Sequence, residues 1–522
     1  MNNTTHTHVG IDLARRAKHK AVVLREPTSA GKAASPKSFA FAHDREGFVA
    51  LRQYMLKRID GASLDGVVVN MEPTSGVWEV VAGFLRAHGA DVYFTRTDVV
   101  SQLRKVHSKF AKTDRIDAHT LATMPRSFPE RLVPVADLEP RIRTLRQLSA
   151  QRHRLVEDAT RWKNRLVAKL EFVWTPLLGR LKSEERFSQL LRAFFRHFTR
   201  PRDVAHLGHD RFLAWCRTHA HGNTDPDRFE TLWQGALQSA QLWELLDGCQ
   251  AITIDWDCLH ELIVQDLRLL ENLETEIATV EERIGQARAD VPECNVVEQL
   301  PGVGPVVGAT LASTLLPIAR FASAKKCGAF TGFTSRRKSS ANRDIEGLRI
   351  TKSGNRRLKR DLALAADVAM KHDAELAAFA IRLLGAGKHY NKVRVAVGRK
   401  LAVRAYSLLK RYAAGQTDVT YLWRDPDDRP IDKRQSKALA HALWTTFNSQ
   451  QKQNGSSPSA TASWQSEDST QRTPDELPGG DHDQLPIPNA NPKRTFNTWG
   501  TSRGKPVRNG APHSRKKHLL SP

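Results

Sequence analysis

Gly66-Val-Val-Val-Asn-Met-Glu72 is the stretch that most limits what this chain can fold into. An apolar run this continuous, bounded by a glycine and a carboxylate, fits a strand buried on both faces. Such a strand needs helices packed against a sheet. Its neighbours supply them. His8-Val-Gly-Ile-Asp12, Ala21–Leu24 and Lys37–Ala42 read as three short strands separated by turns, an antiparallel meander. Glu46–Arg58 has helical spacing, Thr74-Ser-Gly76 turns the chain into a helix over Val77–His88, and Asp91–Thr95 is one more strand. The N-terminal third is therefore predicted to be a mixed α/β layer.

Two of these strands end on carboxylates, Asp12 and Glu72, and functional groups in such sheets gather at strand ends. Lys112-Thr-Asp-Arg-Ile-Asp-Ala118 adds two more. Thr113 is a predicted helix cap, and Asp114 and Asp117, three positions apart, share one helical face. Taken singly, these acids read as a turn residue, a helix-start anion and a solvated face. Gathered in one pocket they would repel one another unless something positive lay between them. Lys109, Lys112 and Arg115 stand beside them in sequence. Two divalent ions about 3.5–4 Å apart would also neutralise them and clamp a phosphodiester.

The 522-residue chain has a formal net charge of +24, which favours a polyanionic partner, nucleic acid above all. A membrane is the rival partner, but Gly308–Ala319, the longest strongly apolar run, is too short to span a bilayer. Met1–His8 is polar and has no signal-peptide character. The five cysteines (Cys216, Cys249, Cys258, Cys294, Cys327) are scattered, which argues against a zinc site or disulfide framework and for a reducing, cytoplasmic compartment.

From Ile142 to Leu170, and again from Ile263 to Ile284, apolar residues step at threes and fours, predicting two long amphipathic helices. They can pair as a coiled coil, either within the chain or across a dimer. Trp174–Trp256, between them, is aromatic-rich and reads as a compact helical insertion. Leu300-Pro-Gly-Val-Gly-Pro305 is a glycine-rich helix entry of the kind that can present backbone N–H groups to a phosphate. Between Ser335 and Arg360 stand ten cations: Arg336, Arg337, Lys338, Arg343, Arg349, Lys352, Arg356, Arg357, Lys359 and Arg360. Only Asp344 and Glu346 oppose them. Charge this dense binds backbone phosphates. Ser339 and Ser340 lie inside it, and a serine becomes nucleophilic once its proton is removed and cations balance the charge on phosphorus.

Together these motifs resemble a known family. V-G-I-D12, M-E72-P-T-S-G and K-T-D114-R-I-D117-A-x-x-L-A are similar to the N-terminal domain of IS110-family transposases. R-F321-A-S-A-K-K-C-G-A-F-T-G-F, R-R-K-S-S-A and I350-T-K-S-G-N-R-R-L-K-R resemble its C-terminal transposase domain. The resemblance covers roughly residues 8–420. It implies an α/β ribonuclease H-like (RuvC-like) domain over residues 1–135, a helical coiled-coil middle over 136–292, and a mainly α C-terminal domain over 293–420. It implies Mg²⁺ or Mn²⁺ held by Asp12, Glu72, Asp114 and Asp117, and a serine nucleophile that counts to Ser340, with Ser339 as the alternative. Ser335 stands in place of a usual proline and Ala341 in place of a usual glycine. The implied activity is DNA strand exchange through a covalent serine–DNA intermediate, on element ends and target. The implied assembly is a dimer or tetramer, in some members guided by a structured noncoding RNA, associated with the nucleoid. The alternative is a RuvC-like, structure-specific endonuclease using metal-activated water. Beyond Trp444 the chain is rich in Gln, Asn, Ser, Thr and Pro, and residues 421–522 are expected to be a largely disordered tail.

Overall fold

The meander at the start of the chain is one half of a six-stranded sheet. The computed structural model describes residues 7–24, 37–59, 61–73, 76–107, 113–135, 139–220, 225–246, 252–334, 339–340, 343–344, 350–351, 354–416 and 418–453. β1 (His8–Asp12), β2 (His19–Leu24) and β3 (Phe39–Phe41) are each antiparallel to the one before. α1 (Arg45–Ile59) returns the chain to β4 (Val68–Met71), which runs parallel to β1 with Gly10 beside Asn70 and Ile11 beside Met71. α2 (Val77–Ala87) leads to β5 (Asp91–Phe94), parallel to β4. After α3 (Thr97–His107) and α4 (Asp114–Ser127), β6 (Val133–Pro134) pairs antiparallel with β5. The order across the sheet is β3-β2-β1-β4-β5-β6.

Alternation of side chains divides the sheet into two faces. Val9, Ile11, Ala21, Val23, Val69 and Met71 are buried with Leu51 and Met55 of α1 and Val81 and Leu85 of α2. The opposite face carries Gly10, Val22 and Asn70 and receives α4, where Val22 packs with Ala118 and Ala122. Gly10 permits that approach: a β-carbon there would come within 2.1 Å of the Ala118 carbonyl oxygen and 2.2 Å of the Ala122 nitrogen.

α5 (Pro140–Gly179) is kinked at Trp174, two residues before Pro176, whose missing N–H interrupts the helical ladder. α6 (Gln189–His197), α7 (Pro201–Leu207), α8 (His209–His219) and α9 (Pro226–Glu244) then close around Trp174, Phe194, Phe195, Phe198 and Phe212. This is the helical insertion. α10 (Trp256–Ala289) runs back along α5. The pair is antiparallel, since Arg152 meets Glu281 at 2.6 Å, Lys163 meets Glu274 at 3.4 Å and Lys169 meets Asp266 at 2.6 Å. Several acids of the second heptad run are therefore spent on ion pairs within the chain.

One end of this helix pair enters a separate helical core. There Ile142, Leu145, Val280 and Ile284 are buried with residues of α11 (Glu293–Glu298), α12 (Pro305–Leu315), α13 (Ala324–Phe330), and later helices. The short strands β7 (Ser339–Ser340) and β8 (Arg343–Asp344) form a hairpin. α14 (Arg356–His372), α15 (Ala374–Gly385), α16 (Tyr390–Ala413) and α17 (Lys433–Gln453) follow. Here the structure differs from the expectation of an unstructured tail from residue 421. Ala440, Trp444 and Phe447 are buried in this core. Trp444 donates its indole N–H to the Met370 carbonyl at 2.7 Å, and the Ser436 hydroxyl accepts from the Ala374 N–H at 2.9 Å. Three aromatic and aliphatic anchors spread over a polar stretch dock it, which composition alone does not register. Residues 454–522 of the expected tail lie outside those described.

Candidate active site

The parity of the strands places the first two carboxylates. Asp12 shares the face of Gly10, and Glu72 the face of Asn70, because side chains two apart on a strand point the same way. That is the face covered by α4. The register that sets Ile11 beside Met71 brings Asp12 and Glu72 to neighbouring positions at the carboxyl ends of adjacent parallel strands. Both are half-buried. Across β2, Lys20 stands opposite Asp12.

Asp114 and Asp117 open the covering helix. Thr113 caps it as its sequence predicts, its hydroxyl accepting from the Ile116 N–H at 3.3 Å. Asp114 is exposed. Asp117 is largely buried and takes two hydrogen bonds from Arg104 of α3, at 3.3 and 3.4 Å. Among the described residues no three His, Cys, Asp or Glu side chains are grouped closely enough to hold a metal ion. Two carboxylates thus lie at the strand ends and two on the helix above the same face, with an arginine on one of them. Lys109 and Lys112 lie outside the described residues.

The turn after β1 adds cations the sequence reading passed over. Arg15, Arg16 and Lys18 are exposed, beginning three residues beyond Asp12. The turn is pinned by His19, which is buried. Its Nδ1 accepts from the Ala14 N–H at 3.1 Å, so Nε2 carries the proton and donates to His43 Nδ1 at 3.0 Å. Burial, then the neighbouring His43, hold the His19 imidazole below its usual pKa.

The serine segment is built differently. Its two ends are drawn together at a neck. Gly332 and Gly354 both have left-handed backbones, with φ of +79° and +99°. A β-carbon on Gly354 would sit 2.8 Å from the Gly332 Cα, so Gly354 cannot be larger without moving Gly332. The Thr351 N–H donates to the Thr334 carbonyl at 2.9 Å. Arg399 of α16 braces the same place, donating to the Phe333 carbonyl at 3.0 Å and the Thr334 hydroxyl at 2.8 Å. Between the two sides of the neck, β7 and β8 pair with Ser340 opposite Arg343 and Ser339 opposite Asp344. The side chains of Ser339, Ser340 and Arg343, and all of Arg336, Arg337, Lys338 and Lys352, lie outside the described residues.

Beyond the neck, Asn355 caps α14, its side chain accepting from the N–H groups of Arg357 and Leu358 at 3.0 and 3.2 Å. Four cations then occupy the first turns: Arg356, Arg357, Lys359 and Arg360. Positive charge at a helix N-terminus opposes the helix dipole. Arg356 is exposed, whereas burial lowers the pKa of the half-buried Arg357 and Arg360.

Two comparisons with known proteins bear on both regions. Residues 9–175 match the DEDD transposase domain of the IS110 family, and residues 294–380 match the transposase family of IS116, IS110 and IS902. Over these two stretches the chain carries transposase domains of the IS110 type. It is also 21% identical to an uncharacterised protein of insertion element IS116 from Streptomyces clavuligerus, over 63% of this chain and 79% of that one. It is therefore a DNA-cleaving and DNA-recombining enzyme of an insertion sequence, with DNA as its partner. No helix among the described residues of this transposase is long and apolar enough to cross a membrane.

Other residues became visible only in three dimensions. His153 of α5 and Asp361 of α14 meet at 3.0 Å, both 3% exposed, beneath the cationic start of α14. In the sequence they are 208 residues apart, and no local pattern marks either. Arg399 looked like one more cation on a packed helix, and Arg104 carried no motif.

Proposed function

We propose that this transposase cleaves and rejoins DNA by serine attack at a phosphodiester positioned by the four carboxylates. A DEDD domain points to divalent-metal dependence in general. We assign the ligands as Asp12, Glu72, Asp114 and Asp117, with Mg²⁺ or Mn²⁺ as the ion: an all-oxygen donor set suits a hard cation, and binding would have to draw the four closer together than they stand in this structure. The support is the placement of Asp12 and Glu72 on one face at neighbouring strand ends, beneath the helix that opens with Asp114 and Asp117. The sheet order, with an antiparallel meander flanked by parallel strands, supports a ribonuclease H-like reading. A divalent cation held there would neutralise the carboxylates and polarise a phosphate oxygen.

In this reading the Ser340 hydroxyl loses its proton and its oxygen bonds to phosphorus. The bond from phosphorus to one ribose oxygen breaks, and that oxygen takes up a proton. A strand hydroxyl later attacks the serine phosphodiester and releases the serine, so strands exchange without hydrolysis. Arg336, Arg337, Lys338, Arg343, Lys352, Arg356, Arg357 and Arg360 balance phosphate charge, and Arg15, Arg16 and Lys18 do so beside Asp12. Assembly into a dimer or tetramer would bring the two regions of different subunits to one phosphate, and a guide RNA would compete for the same cations. The domain limits are proposed as 1–135, 136–292 and 293–420, with α17 docked on the last of these.

The decisive experiment traps the intermediate on suicide DNA containing a nick. Wild type yields a protein–DNA adduct stable to denaturant, and Ser340→Ala yields none. An adduct retained by Ser340→Ala and lost in Ser339→Ala moves the nucleophile by one residue. Cleavage without any adduct assigns water as the nucleophile.

A further inference from the structure

We infer that Asn70 is a positioning residue, which fixes the helix bearing Asp114 and Asp117 over the strand ends bearing Asp12 and Glu72. The inference rests on the assignment of those four carboxylates. It starts from a proline. Pro125 lies inside α4. A helical carbonyl accepts from the N–H four residues on, so the Leu121 carbonyl would be served by residue 125, and proline has no N–H. Leu121 is fully buried, so water does not replace the missing donor.

Asn70 replaces it. Its Nδ2 donates to the Leu121 carbonyl at 2.9 Å, from a position with no solvent exposure. Its Oδ1 accepts from the Thr95 hydroxyl at 3.0 Å, and the Thr95 N–H donates to the Met71 carbonyl at 3.0 Å. The amide is thus held at both ends, and only one orientation satisfies both partners.

The location gives this bond its consequence. Asn70 lies two residues before Glu72 on the same face and pairs with Gly10, itself two residues before Asp12. Leu121 lies one helical turn after Asp117. Apolar packing of Ala118 and Ala122 on Val22 lets a helix slide or roll, whereas a buried hydrogen bond to one named carbonyl does not. Gly10 brings the helix close and Asn70 sets where along the sheet it stops. The defect made by Pro125 is what lets a strand side chain grip the helix backbone at all.

The test separates gripping from mere carbonyl satisfaction. Asn70→Leu, Pro125→Ala and the double variant are compared in the full chain by thermal unfolding and by Mn²⁺ binding followed by electron paramagnetic resonance. Asn70→Leu is expected to lower the melting temperature and weaken Mn²⁺ binding by about 10–100-fold, the range for partners that orient metal ligands. Pro125→Ala restores an N–H for Leu121. In the double variant the melting temperature should therefore recover while Mn²⁺ binding stays weak. Recovery of both overturns the inference, as does unaltered Mn²⁺ binding in Asn70→Leu. If Asn70→Leu does not fold, Thr95→Val removes only the buttress, and unaltered Mn²⁺ binding there overturns it equally. Asp12→Asn is the control: Mn²⁺ binding unchanged in that variant overturns the carboxylate assignment itself.

Discussion

The carboxylate region and the serine region are held by opposite means. Asp12 and Glu72 sit on paired strands whose register leaves them no freedom of face, under a helix drawn in by Gly10. Ser340 sits on a two-residue strand between the sides of a neck made by Gly332, Gly354, Thr334 and Thr351. The first arrangement is a frame, in which every position depends on a neighbouring strand. The second is an excursion fastened at its base. A metal site needs ligands placed to within about 0.5 Å, which a sheet provides. If Ser340 is the nucleophile proposed above, the neck would give it a fixed anchor.

The comparison breaks most visibly if both regions do not serve one reaction. Asp12→Asn, Glu72→Gln and Ser340→Ala should each lower DNA cleavage by roughly 10³-fold or more, since members of one catalytic unit fail together. Binding to element-end DNA should change by only a few-fold, as read by fluorescence anisotropy. If Ser340→Ala lowers cleavage far less than Asp12→Asn, the excursion is not part of the cutting step.

Two glycines sharpen the contrast at the next level. Gly10→Ala forces α4 away from β1 and should cost about 1–3 kcal/mol of stability through overpacking. Gly354→Ala places a side chain in a left-handed backbone against Gly332, at a cost of about 1–3 kcal/mol. Their functional signatures should differ. Gly10→Ala should weaken Mn²⁺ binding, measured calorimetrically. Gly354→Ala should leave it intact and reduce strand joining. Equal loss of metal binding in both would mean that frame and excursion are not separate.

The frame was far more legible in the sequence than the excursion's supports. Strand parity follows from alternation, so Asp12 and Glu72 announced themselves as strand-end acids, and Thr113 as a cap. The meander and the α/β alternation after it followed from local patterns as well. What holds these pieces in place was not legible. Asn70 reads as a polar interruption in an apolar strand until Pro125 is seen to leave Leu121 without a donor. Arg104 and Asp117 meet because α3 and α4 pack side by side, which no spacing encodes. His153 and Asp361 pair across 208 residues. α17 was hidden by composition, because its few anchors are diluted among polar residues. Local chemistry marks the candidate site groups, whereas their packing partners emerge only from the tertiary structure.

Salt dependence compares the two regions by charge. Replacing Arg15, Arg16 and Lys18 together by alanine should reduce the slope of log affinity against log salt by up to about 3, near 0.9 for each lost phosphate contact. Arg356→Ala alone should reduce it by about 1. A triple variant with an unchanged slope would remove the β1–β2 turn from the DNA surface and leave the α14 cations as the main contact.

The smallest effect concerns the pin of that turn. His19 is buried and held below its usual pKa by burial and then by His43. Below pH 6.5 the unfolded chain gains a proton at His19 that the folded chain does not, so stability falls as pH drops through this range. It levels off once pH passes beneath the folded pKa. Protonation also removes the acceptor for the Ala14 N–H, freeing the turn that begins three residues beyond Asp12. His19→Gln should flatten this part of the stability curve between pH 7 and pH 5, read from urea midpoints. The effect on strand joining should appear in the same interval and be absent from the Ser340 neck, where Arg399 donates to neutral oxygens throughout. A neck variant such as Thr351→Val that shifts the same acid limb would show that the pH sensitivity belongs to both regions rather than to the frame.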